Sequence, residues 1–252
     1  MRTPLPPEAR GWIENNVPYV RSLPEADRRE LEGLVQVFLE DKWFEGAGGL
    51  ELTDEIRVTI SAQACMLLLR RDTDLYPELS TVVVYPKAYV AASVSRDAAG
   101  IVTEAEHTRL GESWDQGTIV LSWDDVRRGA ADVHDGHNLV FHEFAHQLDQ
   151  EGGASDGTPA LPERSRYIAW ARVLGEAYED LRERVDGHQK TVLDPYATTN
   201  AAEFFAVATE CFFEKPRSLE RHRPELYAEL RRFYRRDPAA LERGEPEQLD
   251  AG

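Results

Sequence analysis

The apolar positions of this chain fall into helical and strand-like periods. Leu31, Leu34, Val35, Phe38 and Leu39 follow the i, i+3, i+4, i+7, i+8 spacing of one buried helix face. Just upstream, Ser22-Leu23-Pro24-Glu25 combines a Ser, an early Pro and a Glu three residues on. This predicts a helix capped by Ser22 and closed by Gly46-Ala47-Gly48-Gly49. A second helix is predicted after Thr53, through Ile56, Ile60, Ala64, Met66 and Leu67 to Arg71. These make a helical N-terminal layer over residues 1–75, with packing as its expected role.

From Thr81 the period shortens. Thr81-Val82-Val83-Val84-Tyr85 is β-branched and aromatic and stops at Pro86, which predicts a short buried strand. Thr118-Ile119-Val120-Leu121-Ser122 reads as another, with weaker strand signals at Tyr89 to Val94 and Gly100 to Val102. A short helix is expected from Trp123, another over His137 to Asp149, then a loop from Gly152 to Pro162 rich in Gly, Pro, Ser and Asp. Tyr167, Trp170, Leu174, Ala177, Tyr178 and Leu181 line one side of a long amphipathic helix ending near Gly187. A further helix starts at Asn200-Ala201-Ala202-Glu203 and closes at Pro216, and a last one runs from Pro224 to Arg235. The expected fold class is α+β, with residues 76–236 as a core that forms one compact unit with the N-terminal layer. Residues 237–252 hold five acidic residues, one Arg and two Pro, and are expected to form a solvated, disordered tail.

Charge narrows the function. With 46 Asp and Glu against 29 Lys and Arg in 252 residues, the formal net charge is −17. Such a surface repels a phosphate backbone, so direct nucleic-acid binding and a basic membrane-surface role are not expected. The longest apolar runs, Cys65 to Leu69 and Val82 to Tyr85, are too short to span a bilayer, and the N-terminal residues lack the apolar segment of a secretory signal. A cytoplasmic location is expected. With only Cys65 and Cys211 in the chain, each in an apolar run, any zinc site must be built from His and carboxylates.

The segment Asn138-Leu139-Val140-Phe141-His142-Glu143-Phe144-Ala145-His146-Gln147-Leu148-Asp149 carries the chemistry. On a helix, His142 and His146 project from one face, where two imidazoles can bind one zinc ion. Glu143 stands about 100° further round, placed to reach a water on the ion as general base. This is the H-E-x-x-H pattern of zinc peptidases, and the apolar residues around it suit a buried active-site helix. A catalytic zinc needs a third protein ligand. The version with a third His fails, because Asp149 and Gly152 occupy its Gly and His positions, so a carboxylate is expected. Glu163, Glu176, Glu179, Glu183, Glu203 and Glu210 are the choices. Glu203 is favoured, being in the first turn of an otherwise apolar helix, yet Asn200 and Glu203 also have capping-box spacing, and the residues alone leave both readings open. Asp149 could hold an imidazole N–H, and Glu210 lies two turns beyond Glu203, but helix-end charge or solvation explains both equally well. His137 lies off the face of His142 and is expected in the N-terminal turn.

The block from His142 to Asp149, together with Asn200-Ala201-Ala202-Glu203-Phe204-Phe205-Ala206-Val207, resembles the MtfA (Mlc titration factor A) family of bacterial zinc peptidases from about Trp12 to about Pro238. The same blocks are more distantly similar to the peptidase domain of anthrax lethal factor. The resemblance implies a zincin-like metallopeptidase fold with a small mixed sheet, Zn²⁺ held by His142, His146 and Glu203, and Tyr196 as oxyanion donor. It further implies peptide or protein substrates and aminopeptidase-like activity. An alternative reading is a regulatory protein that sequesters a transcriptional repressor resembling Mlc, with hydrolysis secondary. The strand Thr118 to Ser122 is the expected edge on which an extended substrate pairs.

Overall fold

The computed structural model describes residues 5–72, 74–87, 89–96, 102–109, 111–114 and 117–247. Three helices come first: α1 (Pro7–Asn16), α2 (Glu25–Asp41) and, after a short strand β1 (Trp43–Gly46), α3 (Asp54–Met66). Five more strands follow, β2 (Thr81–Tyr85), β3 (Tyr89–Arg96), β4 (Val102–Arg109), β5 (Gly111–Trp114) and β6 (Thr118–Ser122). The rest is helical: α4 (Trp123–Ala131), α5 (Leu139–Gln150), α6 (Arg164–Asp186), α7 (Ala201–Glu214), α8 (Pro216–His222), α9 (Pro224–Tyr234) and α10 (Pro238–Glu242). The architecture is α+β.

The main sheet has the order β1-β2-β6-β5, the first three strands parallel and β5 antiparallel to β6. β3 and β4 pair antiparallel as a separate two-stranded sheet. In β2 the alternation buries Val82 and Val84, while Ile119, Val120 and Leu121 of β6 are all buried, as expected for strands near the middle of a sheet. α5 runs against β5 and β6 and packs on α3, α4 and α7. Phe141, Phe144, Ala145 and Leu148 join it to a core that runs from Leu5 to Ala239 and includes Trp170, Phe204, Phe205 and Phe212.

Several expectations are revised. The helix of residues 31–39 starts at Glu25 with Pro24 as its cap residue, and Ser22 Oγ instead donates to Tyr19 O at 2.9 Å, closing a 3₁₀ turn. That helix stops at Asp41. The residues before Gly46 form β1, docked on β2 through Trp43 N to Ser80 O and Ala47 N to Val84 O, both at 2.8 Å. The N-terminal segment therefore contributes a sheet edge as well as helices. Strand β6 is not an edge: β2 and β5 flank it, so the substrate edge expected at Thr118 to Ser122 is occupied. The solvated tail does not begin at Asp237. Asp237 caps α10 by accepting from Ala240 N at 3.1 Å, Ala239 and Ala240 are buried, and Glu247 Oε1 accepts from Arg236 Nε at 2.9 Å. An acidic composition hides these burials because the buried carboxylates of Asp237 and Glu247 each have specific partners. Part of the strand signal from Gly100 to Val102 lies outside the described residues.

Candidate metal centre

The site begins with the start of α5. Asn138 is its N-cap, with Oδ1 accepting from Phe141 N at 3.0 Å, which satisfies one orphan N–H of the first turn. Its Nδ2 donates to Gln63 Oε1 on α3 at 3.1 Å, fixing the helix start against the N-terminal layer. From that start, His142 and His146 fall on one face four residues apart, their ring centroids 4.9 Å apart. Glu143 is turned inward and buried.

α7 faces them. Its N-cap Asn200 accepts from Glu203 N at 2.9 Å through Oδ1, so the cap is real, but the Glu203 carboxylate points across to the histidines. Glu203 Oε2 lies 3.0 Å from His142 Nε2 and 3.5 Å from His146 Nε2, and the two Nε2 atoms are 3.3 Å apart. Among the described residues this is the one set of three His, Cys, Asp or Glu side chains whose ligand atoms converge within 4.8 Å. On the far side of the same ring, His142 Nδ1 is 2.7 Å from Glu210 Oε1.

The electrostatics fit a cation. A neutral imidazole has one N–H. With that hydrogen on Nδ1 towards Glu210, His142 Nε2, His146 Nε2 and Glu203 Oε2 can all aim lone pairs at one point. Glu203 Oε2 is buried without a hydrogen-bond donor, despite its 3.0 Å approach to His142. A second proton on His142 would relieve this, and a divalent cation would relieve it for all three atoms at once. Burial works against charge on His142, but contacts with Glu203 and Glu210 outweigh it and hold its pKa well above the usual imidazole value. Burial opposes ionisation of Glu203 too, and the two histidines overcome it, holding its carboxyl well below the usual range. Glu143 is pushed up by burial, against the pull of His142 and His146. The cluster thus attracts positive charge, which a proton or a metal can supply.

Tyr196 is brought to the same place. It lies in a 3₁₀ turn, Pro195–Thr198, capped by Asp194 Oδ1 accepting from Tyr196 N at 2.7 Å and tied down by Tyr178 Oη donating to Thr198 O at 3.1 Å. Its ring centroid is 6.2 Å from that of His142, and the residue is 54% exposed. Burial of its hydroxyl and the charges of Glu203 and Glu143 raise its pKa, keeping it a hydrogen-bond donor at neutral pH.

Other candidates are placed elsewhere. Asp149 does not hold an imidazole: Oδ2 accepts from Gly157 N at 2.8 Å, and burial raises its pKa to about 6. His137 precedes the cap, exposed, with Nε2 3.7 Å from Asp194 Oδ2. His134, His188 and His222 are exposed. Gln63, Tyr19 and Glu214 had no signal in the sequence. Glu214 Oε2 accepts from Gly136 N and His137 N, each at 2.9 Å, and Oε1 is 2.6 Å from the Tyr19 hydroxyl. Burial, opposed by the Tyr19 contact and reinforced by Asp135, pushes the Glu214 carboxyl up to about 8.

Comparison with known proteins points the same way as this geometry. Residues 1–235 match the family described as glucose-regulated metallo-peptidase M90. An uncharacterised protein of Synechocystis is 40% identical over 236 residues, covering 93% of this chain and 86% of its own length. Proteins named Mlc titration factor A from Yersinia pestis and Yersinia pseudotuberculosis are each 33% identical over 233 residues, covering 91% of this chain and 85% of theirs. The chain belongs to the M90 metallopeptidase family, that of Mlc titration factor A.

Proposed function

We propose that this protein is a zinc-dependent peptidase of zincin-like fold, with His142, His146 and Glu203 as ligands, Glu143 as general base and Tyr196 as oxyanion donor. The gathering of three ligand atoms within 4.8 Å of one another, one of them a buried carboxylate oxygen without a donor, carries this reading. Two imidazoles and a carboxylate are a donor set suited to zinc at an open catalytic position. Once bound, the ion lowers the pKa of a water towards neutrality and polarises a carbonyl. Glu143 takes the proton of the attacking water and passes it to the leaving amine; its burial brings its pKa nearer the working pH. The Tyr196 hydroxyl donates to the oxygen that gains charge, from a capped turn that needs little reorganisation. Because β6 is covered, the strand available to an extended peptide is β5, whose outer edge is unpaired among the described residues.

The test is a purified chain loaded with Zn²⁺ and assayed on unmodified and N-acetylated versions of the same peptides. Cleavage of the free forms alone supports aminopeptidase-like action. Glu143→Gln is expected to lower kcat/KM by about 10²–10⁴ with zinc content unchanged. Full activity in that variant sinks the mechanism. The relatives' name supports a second reading, a partner resembling the Mlc repressor. If binding is primary, immobilised Glu143→Gln protein retains such a regulator from extract as well as the wild type does.

A further inference from the structure

We propose that Glu210 is a positioning residue that fixes the His142 ring for metal binding; this rests on the metallopeptidase reading above. Glu203 and Glu210 are two helical turns apart on one face of α7. They address opposite nitrogens of the same imidazole, Glu203 at Nε2 (3.0 Å) and Glu210 at Nδ1 (2.7 Å). An ionised carboxylate only accepts, so Glu210 takes the single N–H of the neutral ring at Nδ1. The Nε2 lone pair is then the one aimed at Glu203 and His146. A carboxylate on the outer nitrogen also raises the ring's basicity as a ligand.

The second oxygen of Glu210 makes this more than one contact. Oε2 accepts from Asn138 N at 2.6 Å, and Asn138 is the residue that caps α5 and bonds to Gln63. One buried carboxylate thus holds the start of the helix and, one turn on, a ring carried by that helix. With both ends gripped, the ring cannot rotate about χ2 without breaking a charge-assisted hydrogen bond. A merely structural role would need only the Asn138 contact. The neighbouring Glu214 shows what that looks like: it takes the Gly136 and His137 N–H groups and the Tyr19 hydroxyl and, among the described residues, has no hydrogen bond to an imidazole. It is therefore the internal control.

The experiment compares wild type, Glu210→Gln, Glu210→Ala and Glu214→Gln. Zn²⁺ affinity is measured by competition with a chromophoric chelator, and ligand geometry by the visible spectrum of the Co²⁺-loaded proteins. Both Glu210 variants are expected to bind Zn²⁺ about 10–100-fold more weakly and to show altered Co²⁺ bands, whereas Glu214→Gln stays near wild type in both. Wild-type affinity in both Glu210 variants overturns this inference alone. A wild type that binds neither ion overturns the metallopeptidase reading and this inference with it. Should the variants not fold, ¹⁵N NMR of the Zn²⁺-loaded wild type decides. With Nε2 shifted by the metal, a strongly deshielded, slowly exchanging His142 Nδ1 proton, as for an N–H held by a carboxylate, supports the proposal; an Nδ1 proton with the shift and exchange of a solvated ring overturns it, and an Nε2 unshifted by the metal overturns the metallopeptidase reading instead.

Discussion

Gly157→Ala offers a test in which the structure sets the size of the effect. Gly157 has φ +80°, and a Cβ added there would lie 2.4 Å from Ala201 O and 2.9 Å from Ala201 C. A left-handed backbone costs a residue with a Cβ roughly 1–2 kcal/mol. The contact is with backbone, so it cannot be relieved by a rotamer change; the Ala201 carbonyl must retreat by about 0.6 Å, an overpacking that costs roughly 1–3 kcal/mol more. The loop has little freedom to give way, since Gly157 N donates to the buried Asp149 at 2.8 Å and Gly157 O accepts from Trp170 Nε1 at 2.9 Å. The sum, about 2–5 kcal/mol, corresponds to a fall in Tm of roughly 4–20 °C for a chain of this size. Gly153 separates the two costs, because its φ is +95° but nothing lies within 4 Å of its Cβ position. Gly153→Ala should show the backbone cost alone. Thermal unfolding of both variants by circular dichroism, at equal zinc, gives the difference directly. Ala201 is two residues from Glu203, so displacement there should also lower peptide hydrolysis of Gly157→Ala at temperatures where it is fully folded. A Gly157→Ala protein no less stable than Gly153→Ala would mean that the contact with the Ala201 carbonyl costs nothing.

Tyr196→Phe is expected to lower kcat by about 10²–10³ while leaving zinc affinity unchanged, because the hydroxyl is assigned to the oxyanion and not to the ion; an unchanged kcat removes that role. Glu214 gives a pH test: its folded pKa, about 8, exceeds the ordinary 4.5, so the stability it confers is complete below about pH 4.5 and is lost as pH rises through about 8. Relative to Glu214→Gln, the wild type should lose up to about 1.4 kcal/mol per pH unit across that window in urea unfolding with chelator present, and a pH-independent difference contradicts it.

What could be read from the sequence was whatever depends on short range. Helical spacing puts His142 and His146 on one face whatever surrounds them, and Thr53 and Asn200 cap the helices their positions suggest, whereas the helix expected from His137 begins two residues later, with Asn138 as its cap. Glu203 marks the limit of such reasoning. Its spacing from Asn200 fits a cap and its placement fits a ligand, and the structure divides the residue between them, backbone N–H to the cap and carboxylate to the histidines. No periodicity in α7 could show that, because the deciding partner belongs to α5. The same holds wherever a contact joins distant elements: Tyr19 to Glu214 spans 195 residues and Asn138 to Gln63 spans 75. Position within a sheet is another case. The apolar composition of Thr118 to Ser122 marks a buried strand, but only pairing with both β2 and the short β5 shows that it is interior. Burial on both faces is the reason that Ile119, Val120 and Leu121 are all apolar, but faces and edges are independent: side chains report what covers the faces, and only the backbone pairing shows that neither edge of this strand is free.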